Sequence, residues 1–283
     1  MPLLGQAVWS AGISSKTKPK DVKSYAKSKQ KNDINDALAI AKAGQDPELK
    51  AVHLKNVDEQ TIAFLHKMRA NTMRQRIQKS NMILSTLLEF GMAVKAAQAA
   101  FSKEAAIHIQ EAYERGLIDE KVYHILGEEA EMLAAFFAKE KVYERRIKDL
   151  NKHNQKAIRL ESIPGIGTIN ASILSIQPMA SYESSRDYAA SLGLVPKQAT
   201  TGGKVRLGSI TKQGNRYIRT MLIQGGRSIV MRTCKENRPS SPLYLFARKI
   251  YERKGFNVAS VAVANKLARI AFACITKQED YQA

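Results

Sequence analysis

The sequence predicts a mainly α-helical protein, and two observations carry that prediction. Two stretches, 58–92 and 119–153, repeat apolar residues at three- and four-residue steps, the period of one helix face. After residue 157, further helical stretches are separated by Gly-, Pro- and Ser-containing breaks such as IPGIG and NRPSSP. A chain of 283 residues with 44% hydrophobic and 25% charged residues has the composition of a soluble globular protein of one large or two ordinary domains.

Taken in order, residues 1–20 show no periodicity and are expected to be poorly ordered. Helical text starts at Asp21 with VKSYAK and continues through DINDALAIAKA to Gly44; residues 45–49 read as a turn and AVHLKN as a short strand. In 58–92 the repeat runs through Leu65, Met68, Met73, Ile77, Leu84 and Leu88; in 119–153 through Ile125, Met132, Phe136, Tyr143, Ile147 and Leu150. Joined by a shorter segment at 95–114, these predict an antiparallel coiled-coil hairpin, acting as a spacer or dimerisation arm. A second domain begins near Ala157, with the IPGIG turn, helices from Thr168, Ser184 and Gly214, the loop KQATTGGKVRLG, and two closing helices. The expected segments are 1–57, 58–156 and 157–283.

The charge is unusual. Lys and Arg number 45 against 26 Asp and Glu, a formal +19, which favours a polyanionic partner because neutralised phosphates release condensed counterions. Cys234 and Cys274 lie too far apart for a zinc module and read as reduced thiols, and the five histidines show no ligand spacing. The start makes a poor signal peptide, and the apolar stretch 258–275 is interrupted by Lys266 and Arg269, so it reads as a core helix rather than a membrane span. A cytoplasmic protein without membrane attachment is expected.

Three local motifs and one distributed signal could carry chemistry. Asp33 and Asp36 in KNDINDA stand one helical turn apart on one face. Such a pair can hold divalent cations beside a phosphate, or simply offset the dipole and cap amides at a helix start. In IPGIGT, Gly165, Gly167 and Thr168 precede a helix. They resemble the turn of a helix-hairpin-helix element, whose amides meet backbone phosphates, and an ordinary Pro-Gly turn reads the same. Thr200, Thr201, Gly202, Gly203 and Lys204 place hydroxyls beside two glycines and a cation, either for close approach to a ligand or as a flexible turn. Finally, 201–255 holds thirteen basic residues, among them Arg206, Lys212, Arg216, Arg219 and Arg227, against Glu236 and Glu252 alone. That one-sided stretch reads as an electrostatic nucleic-acid face.

In this order, VKSYAKSKQKNDINDALAIAKA, two long helices, SIPGIGTINASILSI and SLGLVPKQATTGGKVRLGSITKQGNRYIRTMLIQGGRSIVMR resemble a bacterial insertion-sequence transposase. The type is DEDD, the insertion sequence one-ten family with its one-one-one-one branch, related to the Piv invertases. The resemblance implies an N-terminal RuvC-like α/β nuclease domain, a coiled-coil linker, and a C-terminal transposase domain with a hydroxyl nucleophile. It implies that Asp33 and Asp36 match the last two acids of the Mg²⁺-binding tetrad. Thr201 then stands at the position of the catalytic serine, with Thr200 as second choice. Implied partners are DNA, a structured guide RNA as in some members, and a second copy of the chain. Two departures stand out. No acidic residue precedes Asp21, so the tetrad is incomplete and the nuclease domain is expected to be an N-terminally truncated remnant. A threonine also replaces the serine, and its β-methyl restricts χ1. Two outcomes follow: an active strand-transferring enzyme, or a catalytically inactive copy that only binds nucleic acid.

Overall fold

The computed structural model describes residues 22–25, 32–46, 53–95, 98–201, 204–235 and 241–282. The chain divides into two compact units, 1–61 and 62–283.

In the first unit, a single 3-10 turn at Lys23–Tyr25 precedes helix α1, Asp33–Gln45. Asn32 caps it, its side-chain oxygen accepting from the Asn35 amide at 2.7 Å. Tyr25 donates a hydrogen bond to Asp46 at the far end. The expected strand at AVHLKN is not found among its described residues: 53–56 are irregular. They lead into helix α2, where Asn56 and Glu59 exchange reciprocal bonds, the Asn56 side chain accepting from the Glu59 amide and Glu59 accepting from the Asn56 amide.

The helical arm consists of α2 (Val57–Glu89), α3 (Gln98–Glu114) and α4 (Glu120–Asn151), the last capped by Asp119. The two long helices lie where their spacing predicts. Arg69 pairs with Glu140 and Glu144, Arg76 with Glu140, and Lys79 with Glu129, an order that makes α2 and α4 antiparallel. The connection is not a simple hairpin loop. Helix α3 packs on the distal half, where Phe101, Ala105 and Ile109 meet Ile83 and Leu87 of α2 and Leu126, Ala130 and Leu133 of α4. This third helix shifts the covered face. Leu88, Ile125 and Met132 of the expected stripe are exposed, while Leu87, Leu126 and Leu133 one position away are buried; Leu150, at the proximal end, is exposed as well. The proximal half closes over a small cluster of Leu65, Tyr143 and Ile147.

The rest of the second unit packs α5 (Gln155–Glu161), α6 (Thr168–Ser175) and α7 (Ser185–Ser191) against two long helical segments, α8 (Arg216–Lys235) and α9 (Pro242–Lys277). Gly255 breaks α9 with φ +76°, a left-handed value that suits glycine. The chain folds back there: Lys266 lies 4.4 Å from the ring of Phe246. The two closing helices expected from sequence are therefore these two halves. Although α9 is long and apolar enough to cross a membrane by length and composition, its residues Ala259, Val263, Ala264, Leu267 and Ala271 form the domain's core.

The segment read as a loop is a β-hairpin, β1 (Pro196–Thr201) with β2 (Lys204–Ile210), antiparallel and irregular between Pro196 and Gln198. Residues 196–200 and 206–209 are all exposed. PKQATT carries no alternation of apolar and polar residues and KVRL only a four-residue one, and with the described side chains all exposed at 196–200 and 206–209 no core-facing pattern distinguishes the hairpin from a loop.

Candidate functional site

The hairpin is exposed at 196–200 and 206–209, and it is anchored at its base. The amide of Thr211 donates to the Val195 carbonyl at 2.9 Å, and that of Lys212 to Gly193 at 3.2 Å. Arg219 completes the anchor. Its Nη1 donates to the carbonyls of Leu192, at 3.0 Å, and Gln213, at 2.6 Å. Only 8% exposed, Arg219 holds the hairpin base and is turned away from solvent. A buried guanidinium needs such acceptors, so this residue leaves the expected electrostatic face.

On the hairpin, the register pairs Thr201 with Lys204, Thr200 with Val205 and Ala199 with Arg206. Gly202 and Gly203 lie outside the described residues. Thr200 is exposed, and its Oγ1 accepts from Gln198 at 3.1 Å. Lys212 and Arg216 are exposed at the base, beside Asn215, whose side chain accepts from the Tyr217 amide at the start of α8. Lys197, exposed on β1, joins this basic set; it stands in the same KQATTGGK run, and its signal was its position three residues before Thr200. Arg227 is also exposed, lying over the Phe256 ring at 5.2 Å. It sits eleven residues along α8 from Arg216, about 16 Å away by helical rise.

The IPGIG turn has a different surrounding. Gly165 has φ +85°, and a Cβ there would fall 2.7 Å from Ile229 Cδ1 and 3.0 Å from the Gly225 carbonyl. A Cβ on Gly225 would in turn collide with the Gly165 carbonyl, and one on Gly226 with the Ser260 carbonyl. The turn is thus seated backbone-to-backbone on the middle of α8, and α9 is seated on the other side of the same glycine pair. That packing explains Gly165 without a ligand. Gly167 and Thr168 differ: Gly167 is exposed, and as the residue preceding α6 it has no side chain to cap the first amides. Gly225 and Gly226 were not singled out from the sequence; a Gly-Gly pair inside a helical pattern was the available signal.

In the first unit, Asp33 and Asp36 occupy the first turn of α1, both exposed, and Asn32 rather than either aspartate supplies the cap. Both have carboxylates available to a cation. Among the described residues, however, no group of three His, Cys, Asp or Glu is placed to hold a metal. Two carboxylates are a partial ligand set for Mg²⁺, which takes six oxygens in near-octahedral geometry; the described residues do not complete one.

A buried polar cluster joins the arm to the start of α8. His66 Nδ1 and the Tyr217 hydroxyl are 3.1 Å apart. Arg69 donates to Glu144 at 2.7 Å and to Glu140 at 3.4 Å. Burial, with Arg69 nearby, pushes the His66 pKa down to about 4. Burial opposes ionisation of Glu144, yet the hydrogen bonds from Lys141 and Arg69 outweigh it and hold this carboxyl below the usual range.

Comparison with known proteins bears on the region just described. Residues 157–240, which span the IPGIG turn, the hairpin and α8, match the family model described as transposase IS116/IS110/IS902. The chain is 34% identical over 269 residues to the transposase for insertion sequence element IS1111A of Coxiella burnetii, covering 93% of this chain and 71% of the relative. It is 35% identical over 266 residues to the transposase for insertion sequence element IS1328 of Yersinia enterocolitica, covering 92% and 75%. A probable family 20 transposase of Pseudomonas aeruginosa is 33% identical over 267 residues, covering 93% and 77%. The chain belongs to the IS116/IS110/IS902 family of insertion-sequence transposases.

Proposed function

We propose that this transposase cuts and rejoins DNA with the β-hairpin as its strand-handling element, and that Thr201 supplies the nucleophilic hydroxyl. The observation that carries the reading is the hairpin itself. It stands exposed within the family-matched segment, is anchored by Arg219, and is flanked by the cations of Lys197, Arg206, Lys212 and Arg216. On this reading the Thr201 oxygen bonds to the scissile phosphorus as the phosphorus–oxygen bond to the adjoining nucleotide breaks. The threonine loses its proton and the departing oxygen takes one up, leaving a phosphothreonine ester that the same strand, or another, reverses. Exposed cations at the hairpin base hold the neighbouring phosphates. Gly167 and Thr168, ahead of α6, give a further amide contact in the manner of a helix-hairpin-helix turn. Thr200 is the substitute nucleophile if Thr201 is dispensable.

Residues 1–57 would then be the RuvC-like portion, with Asp33 and Asp36 as two of its metal-binding carboxylates. Residues 58–156 would form the linker and dimerisation arm, and 157–283 the transposase domain. A structured guide RNA and a second copy of the chain are further partners on this reading, with the cytoplasm as the place of action. A second reading, nucleic-acid binding without strand transfer, draws on one observation: no third ligating side chain joins Asp33 and Asp36 among the described residues.

The test is covalent trapping. The full chain is incubated with DNA carrying insertion-sequence ends and Mg²⁺, and protein–DNA adducts are resolved on denaturing gels. Adduct should form with the natural protein and with Thr201→Ser, and vanish with Thr201→Ala. Adduct persisting in Thr201→Ala would move the nucleophile elsewhere. No adduct with any variant, while retarded DNA shows binding, would favour the second reading. Asp33→Ala should abolish cleavage without weakening DNA retention.

A further inference from the structure

The arm is polarised in charge along its length. Residues 104–131, at the distal end, carry eight carboxylates against Arg115 and Lys121, whereas 139–159, next to the transposase domain, carry eight basic residues against Glu140, Glu144 and Asp149. In a chain with a formal charge of +19, an acidic tip is the exception, and a basic root so close to the tip calls for its own explanation.

The basic residues at the root are only partly consumed by internal pairing: Lys141, Lys152 and Arg159 have partners, the last in Asp280. Glu140 is buried and already accepts from Arg69 and Arg76 on α2. Glu144 serves Arg69 and Lys141, and Asp149 serves Lys152. Among the described residues, the exposed Lys139, Arg145, Arg146 and Lys148 form no ion pair with a carboxylate, although Arg145 and Lys148 lie near enough to Asp149 to help hold its carboxyl low. Nor are the cations scattered. Lys141, Arg145, Lys148 and Lys152 follow one another at steps of four, three and four, so they line one side of α4, and all four are exposed. Tyr143, Ile147 and Asn151 take the buried side. Eleven residues of helical rise make this row about 16 Å long, with neighbouring cations about one helical turn, roughly 5–6 Å, apart. Lys156, on α5, is exposed as well.

We infer that this row is a second track for the backbone of duplex DNA, separate from the hairpin and independent of base sequence. The inference rests on the reading of the chain as a DNA-handling enzyme and adds where a further part of the duplex lies. Three features favour it. The row is straight and rigid, being built on a helix fixed on its other side by the Arg69, Arg76 and Glu140 network. The Asn151 side chain donates to the Thr168 carbonyl at 2.9 Å and to Glu161 at 3.1 Å, which fixes the end of α4 to the IPGIG-turn helices. The row and those helices therefore address one ligand in a constant relation. The carboxylate-rich tip repels the same polyanion, which confines DNA to the root.

The experiment measures binding of the full chain to a duplex of unrelated sequence across a series of salt concentrations. Three proteins are compared: the natural chain, Arg145→Gln/Lys148→Gln, and Lys212→Gln/Arg216→Gln at the hairpin base. Thermal melting of each verifies folding, which exposed substitutions should leave unchanged. Each lost phosphate contact lowers the slope of log affinity against log salt by about 0.9. The arm variant should therefore lose roughly 2 from that slope, and about tenfold or more in affinity near 0.1 M salt. An unchanged slope and affinity in the arm variant, with a weakened hairpin-base variant, would overturn the second track and leave the hairpin reading standing. If the natural chain fails to bind duplex, or binds without salt dependence, the underlying DNA reading falls with it. A tighter loss on duplex RNA than on duplex DNA would also sink the inference as stated.

Discussion

Along the arm, α2 and α4 bury His66, Arg69, Thr72, Ser80 and Glu140 beside their apolar residues, and the two apolar clusters lie at opposite ends. Residues 157–277, by contrast, are built on one continuous cluster dominated by Ala, Ile, Leu and Val, with three stretches of backbone brought together at Gly165, Gly225–Gly226 and Ser260. The difference lies in what enforces the geometry. Packing of main chain against main chain leaves one register and no slack. Buried ion pairs fix register too, but they do so through side chains whose protonation and pairing can be altered. The domain that presents the hairpin is thus the stiffer of the two, and the arm is the region where solution conditions should be felt.

Gly225→Leu should produce the largest effect, because the new side chain has no space between α8 and the IPGIG turn. A loss exceeding about 4 kcal/mol is expected, or failure to accumulate folded protein. A urea midpoint close to that of the natural chain would mean the backbone contact is not what holds the domain. In the arm, Glu140→Ala leaves Glu144 as the carboxylate paired with Arg69 and removes one acceptor of Arg76. Breaking a buried pair from one side should cost roughly 3–4 kcal/mol, and a change below 1 kcal/mol would show that the network behaves as a surface pair.

A gentler probe of the same contrast is pH. His66 takes up its proton at about 4 in the folded chain, against an ordinary value of 6.5. Between those values the unfolded chain binds the extra proton, so stability is fully present above pH 6.5, falls through the window and levels off below about 4. The contribution is about 3 kcal/mol. Urea midpoints from pH 7 to pH 4.5 should fall, and His66→Gln should flatten the slope; an equal slope in both proteins would place the acid sensitivity elsewhere.

The long helices were legible because thirty residues of three- and four-step spacing leave little room for another period. Their inward faces were less so. Leu88, Ile125 and Met132 fit the stripe and yet are exposed, since α3, whose packing nothing in the two long repeats announces, selects the face that is covered. The turn at IPGIG was visible as a turn, but not its partner, because close approach of Gly165 to Gly225 is a contact between residues sixty positions apart. Arg219 shows the same limit. A charge in a basic run reads as surface, and only the fold reveals that two backbone carbonyls claim it. The aspartates of α1 could be placed on a helix start, whereas the neighbour that does the capping, Asn32, could be told from them only by geometry.

The joint at Gly165 and Gly225 has a mechanical meaning. Main-chain atoms in direct contact cannot slide without unpacking, so the turn, α8 and α9 move as one solid part. Asn151 bolts the end of the arm to that part through Thr168 and Glu161. A torque arriving at the near end of the arm is therefore passed to the turn and α8 through hydrogen bonds and packed backbone, as through a crank rather than a cable.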